Sequence, residues 1–139
     1  MIKINDLPLP RELLELIDAG RWQCPQDQSK VNLVFPDRVE LKLYSIEYMP
    51  IENKHWLNET KPMFVGVPDS EIPPGDIDPH LSILIGDLGL GSDQPIALDY
   101  RLSLDCPRVL TLQWSCDETP NRWVEIAPNV RVFSELLGF

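Results

Sequence analysis

Two histidines, three cysteines and a run of acids are the residues of this 139-residue chain that bear on chemistry. His55 and His80 are the only histidines, and neither has a partner at metal-ligand spacing. A Ser–His–Asp or Cys–His site needs nucleophile, base and orienter to converge. The residue types occur here, but no nucleophile elbow, His-Glu-x-x-His or caspase-like signature frames them. Both histidines therefore read as surface or structural residues. Asp76-Ile77-Asp78-Pro79-His80 has the composition of a divalent-ion loop. An EF-hand would need Gly at its sixth position and Glu at its twelfth, where Leu81 and Asp87 stand. The segment reads as a Pro-Gly turn with a solvated approach to a strand. Gly86, Gly89 and Gly91 lack the phosphate-loop lysine and the dinucleotide spacing, and Asp87 and Asp93 would repel phosphate. A glycine-rich hairpin connection fits them better.

The charge distribution says more. Residues 69–105 hold eight acids (Asp69, Glu71, Asp76, Asp78, Asp87, Asp93, Asp99, Asp105) against Arg101 alone. That segment carries most of the formal net charge of −10, set by 22 acids and 12 bases. The sign is wrong for a protein that lives on phosphate backbones or anionic membranes, so neither nucleic acid nor membrane is an expected partner. One reading of such acidity is solubility. The sharper one is a negative field focused on a basic partner. On that charge argument the candidate partner-binding residues are Glu71, Asp76, Asp78, Asp87 and Asp93. No catalytic residue, metal ligand or cofactor is expected.

The elements that must position these acids are short. Fourteen prolines, one residue in ten, exclude a long-helix bundle. Pro10 can open a helix over 10–19, with Leu13, Leu14 and Ile17 on one face and Gly20 to end it. Val31, Leu33 and Phe35, then Val39, Leu41 and Leu43, alternate as two strands about a turn at Pro36-Asp37. Segment 45–59 is ambiguous: Ser45 could cap a helix that Pro50 would interrupt. A short strand is expected over Met63 to Val67. Leu81, Ile83 and Ile85 alternate before the glycine-rich loop. Ile96, Leu98, Tyr100, Leu102 and Leu104 then share a core face, with Asp99 on the solvated side. Leu110, Leu112 and Trp114 resume the period, which predicts Trp114 in the core; Trp22 and Trp56 lie in weakly patterned stretches. Asp117 to Asn121 supply a turn before a last strand, Trp123 to Ile126. Pro128 opens a terminal helix lined by Val130, Phe133, Leu136 and Leu137. Strands of this kind need a covering layer. The expected fold is one α+β domain over 1–139, a mainly antiparallel sheet with the N- and C-terminal helices on one face.

Cys24, Cys106 and Cys116 are odd in number and follow no Cys-x-x-Cys spacing, which points to reduced thiols and a cytoplasmic setting. Met1 to Asp6 hold no apolar run of signal-peptide type, and no stretch of 18 apolar residues occurs.

Residues 84–99, Leu-Ile-Gly-Asp-Leu-Gly-Leu-Gly-Ser-Asp-Gln-Pro-Ile-Ala-Leu-Asp, resemble the SUKH superfamily: an apolar strand ending in Ile-Gly, a Gly/Asp-rich turn, then a strand of Ile-Ala-Leu-Asp type. The later order is similar too, with a strand at Val109 to Leu112, an aromatic at Trp123, then Ile126-Ala127-Pro128 and a helix holding Phe133, Leu136 and Leu137. Upstream, Val39 to Ser45 is similar to that family's early strand before a short helix. The resemblance implies a non-enzymatic interaction domain. Many bacterial members are immunity proteins that neutralise polymorphic or contact-dependent toxins, often nucleases. Others are regulatory scaffolds, which leaves an adaptor without a toxin partner as the alternative. A small metal-dependent hydrolase using Asp76, Asp78 and His80 is the third class. The family's partner surface varies between members, so the resemblance transfers no binding residue.

Overall fold

The computed structural model describes residues 2–23, 25, 27–35, 40–88, 94–114 and 121–139. The chain opens with a hairpin of β1 (Lys3–Ile4) and β2 (Leu7–Pro8), turned through Asn5 and Asp6 at φ 50° and 68°. Positive φ at both central residues is type I′ geometry, which Asn and Asp tolerate. α1 (Arg11–Asp18) follows as the sequence predicts, and Gly20 at φ 68° lies just past its end. Then come α2 (Gln28–Val34), β3 (Leu41–Leu43), α3 (Met49–Glu59), β4 (Pro74–Gly75), β5 (Ser82–Leu88), β6 (Pro95–Asp99), β7 (Arg108–Gln113), β8 (Arg122–Ala127) and α4 (Val130–Leu136). Short 3₁₀ turns fall at Pro62–Phe64 and Pro79–Leu81.

Six strands form one antiparallel sheet in the order β3-β5-β6-β7-β8-β4. The fold class is α+β. α4 lies against β7 and β8 and touches α1 and α2, while α3 packs along β5.

Several local expectations give way to tertiary packing. The predicted strand over Val31–Phe35 is α2: Asp27 caps it by accepting from the Ser29 amide at 3.0 Å, and Val31 and Phe35 are buried one helical turn apart while Leu33 is 81% exposed. Pro50 sits in the first turn of α3, where its missing N–H removes no helical bond, and the Ser45 hydroxyl accepts from the Tyr48 amide just ahead of it. The strand expected over 63–67 is replaced by the first 3₁₀ turn.

The largest correction concerns residues 95–104. β6 ends at Asp99, and Leu102 and Leu104 are exposed rather than in the core register. Every residue of β6 is buried, so both faces of the sheet centre are covered. Asp99 is fully buried, not solvated. Trp114 is exposed at the end of β7, packed edge-to-face on Phe64 at 5.5 Å, whereas Trp22, Trp56 and Trp123 are buried. In α4, Val130, Phe133 and Leu137 face the core and Leu136 does not. Gly89, Gly91, Cys24, Cys116, Asp93, the Pro36-Asp37 turn and most of the 117–121 turn lie outside the described residues.

Candidate functional site

A β-bulge decides what β5 presents. Leu84 pairs with Ala97 but Gly86 pairs with Ile96, so Ile85 is an extra residue on β5. Asp87, opposite Pro95, is thereby returned to the face that carries Leu84 and Ser82. A regular strand would place residues 84 and 87 on opposite faces. Gly86 sits at the same point because β3 passes very close: a Cβ there would lie 2.5 Å from the Lys42 carbonyl oxygen.

α3 fixes the other wall. Met49, Asn53 and Trp56, one turn apart, are its buried stripe. The Asn53 amide donates to the Leu84 carbonyl at 2.9 Å and accepts from the Leu84 N–H at 2.7 Å, doing for one residue of β5 what a neighbouring strand would do. Its amide also donates to the Met49 carbonyl at 2.9 Å. The Trp56 indole donates to the Ser82 hydroxyl at 3.0 Å, and its ring meets Trp123 edge-on at 6.0 Å. With α3 locked this way, Glu52, His55 and Glu59 line a cleft of about 230 Å³ against β5 and β6.

Asp87, Leu84, Gln94 and Pro95 supply the strand side; Tyr44, Trp56, Thr60, Lys61 and Phe64 complete the lining. The Tyr44 hydroxyl donates to Asp87 Oδ2 at 2.8 Å, and the Tyr48 hydroxyl donates to Glu52 Oε2 at 3.1 Å. Burial, then the bond to Asp87, push the Tyr44 phenol well above its ordinary range, so it stays a neutral donor. The bond to Glu52 raises Tyr48 likewise. His55 Nδ1 lies 2.8 Å from Glu59 Oε2 at the exposed rim of the cleft. The cleft thus holds three carboxylates against one lysine, over an aromatic and apolar lining. Carboxylates over such a lining can attract a cationic group by charge and pack its stem by contact.

Gln94 differs from its neighbours. Its residue is 8% exposed, and its buried Oε1 has no hydrogen-bond partner among the described residues. Buried polar atoms are almost always paired, so this acceptor stands out on a residue of the cleft lining.

The acids singled out in the sequence are distributed over several settings. Asp87 is in the cleft. Asp76 receives Arg101 Nη1 at 2.9 Å on its carboxylate and Arg101 Nη2 at 2.8 Å on its carbonyl. Asp78 caps the second 3₁₀ turn by accepting from the His80 amide at 2.9 Å. Glu71 is exposed in the loop before β4, and Asp93 lies outside the described residues. Two further acids of the segment are internally paired. Asp69 accepts from the Glu71 and Ile72 amides and faces Arg122 at 3.4 Å. Asp99 is held by Arg101 and by Arg108, whose Nε lies 2.7 Å from Oδ2. Among the described residues, no three of His, Cys, Asp and Glu converge as a metal site.

Glu52, Glu59, Tyr44 and Gln94 were not singled out by sequence. The spacing of Glu52 and Glu59, two turns apart, would mark one helical face once 49–59 is read as a helix. In comparisons with protein-family models, curated proteins and solved structures, nothing matches this chain.

Proposed function

We propose that this chain is a non-enzymatic interaction domain of SUKH type, an immunity protein that acts in the cytoplasm by binding and neutralising a basic toxin domain. The observation that carries the reading is the cleft between α3 and β5, with Glu52, Glu59 and Asp87 around an aromatic and apolar lining. Charge complementarity of this kind selects a partner and speeds its encounter, while buried anchors set how long it stays. Neutralisation proceeds by occlusion of the toxin's site or a neighbouring surface, with no bond made or broken by this chain.

The test is growth. A toxin domain encoded beside this chain's gene should arrest cells on expression, and co-expression of this chain should restore them. Asp87→Asn with Glu52→Gln should weaken the rescue. Arrest that the intact chain leaves unchanged would refute the immunity reading and favour the adaptor.

A further inference from the structure

We propose that the cleft is a receptor for a single arginine side chain, which the protein partner inserts. The inference rests on the protein-interaction reading and names the group that the site recognises. Two independent features point to it. The first is charge: Asp87 and Glu52 present carboxylates on opposite walls, and each already accepts from a tyrosine hydroxyl, which orients it. The second is Gln94, a residue of the same lining whose buried Oε1 lacks a donor among the described residues. A buried acceptor left unmade is a standing cost, which a turn of the Gln94 side chain toward an incoming N–H would relieve.

Arginine matches this set better than lysine. A guanidinium carries five donors in a planar fork and can serve several separated acceptors at once, whereas an ammonium offers three donors around a compact, strongly hydrated point. Its flat cation also stacks on aromatic faces, and Phe64 and Trp56 lie along the lining. Lys61 and His55 do not reverse the sign, since Glu59 already faces His55 at 2.8 Å.

The probe is N-acetyl-arginine N-methylamide, titrated into the ¹⁵N-labelled chain. Saturable amide shifts confined to residues 52–60, 84–88 and 94–96 are expected, with affinity about millimolar for a ligand of this size. The lysine counterpart should bind about tenfold more weakly, and the neutral citrulline counterpart should give no saturable shifts. Gln94→Leu and Asp87→Asn should each weaken arginine binding by about tenfold, whereas Glu12→Gln on α1 should not. If Asp87→Asn disturbs the fold, Glu52→Gln serves in its place, its amide spectrum reporting integrity. Equal binding of arginine, lysine and citrulline, or shifts spread away from the cleft, would overturn the proposal. So would the absence of saturable shifts. None of these results depends on the toxin, so the growth assay fails or succeeds separately.

Discussion

Asp99 is a buried carboxylate held by two arginines. Burial alone would raise its pKa, but the side chains of Arg101 and Arg108 and the Arg101 amide override that penalty and hold it below the usual carboxylate range. The guanidinium of Arg101 also spans to Asp76, so one side chain links the end of β6 to the segment after β4. Removing the charge leaves two arginines facing a neutral amide. Asp99→Asn should therefore cost about 3 kcal/mol, at the low end for a broken buried pair because both arginines are partly exposed. Thermal melting should show a drop of roughly 10 °C; a shift within 1–2 °C, as for roughly 0.5 kcal/mol at a surface site, would discard this account. The pH dependence follows in sign. A depressed carboxyl stabilises fully above its unfolded value, about 3.9, and that contribution is lost as pH falls through the lower folded value. The wild type should lose stability in that acid range, and Asp99→Asn should lose less of it. Alternation alone places Asp99 beside water because it counts side chains by parity, and parity does not reveal that the far side of the strand is also covered. Leu98, on the other parity, is fully buried as the same pattern predicts.

Elements with one strong signal were legible. α1, β7, β8 and α4 lie where periodicity, Pro and Gly place them, because each shows a repeated apolar face. β5 begins as expected but runs on through Gly86, Asp87 and Leu88, which the glycine spacing assigns to the hairpin connection. α2 was not, since Val31 and Phe35 satisfy a period of two and a spacing of four equally well; the Asp27 cap decides between them. The cleft was legible only in part. Asp87 stood out by charge, but its face depends on the bulge at Ile85, which no alternation count contains. That bulge and the close pass of β3 make Gly86 a sensitive position. Gly86→Ala should press a methyl onto the Lys42 carbonyl and cost about 2 kcal/mol, in the range of overpacked sites. Hydrogen exchange should show the β3 amides opening first, and Tyr44 should lose its hold on Asp87. A variant as stable as the wild type, with β3 protected, would mean that β3 can move aside freely.

For the molecule as a whole, charge is the long-range property. The formal net charge of −10 already counts the arginines that pair with Asp69, Asp76 and Asp99, so those pairs add nothing to the outward field and the excess negative charge rests on the other acids. The cleft carboxylates and the exposed acids remain. Association with a basic partner should slow by more than about tenfold as salt shortens the Debye length from about 10 Å at 0.1 M to about 3 Å at 1 M. Asp87→Asn with Glu52→Gln should reduce the low-salt rate more than Glu12→Gln with Glu15→Gln on α1. Stopped-flow mixing across a salt series measures both, and a flat response would leave the acidity with solubility alone.

The margins of the sheet carry a different consequence. β3 is three residues long with Lys42 at its centre, and β4 is two residues long and begins with a proline. The loop at 65–69 runs beside β4: the Asp69 amide donates to the Pro74 carbonyl at 3.0 Å, and Gly66 bridges Asp76. Short, charged and proline-bearing edges offer little backbone for another chain to copy. Among the described residues, both margins are therefore poor templates for a further strand, which disfavours polymer growth along the sheet.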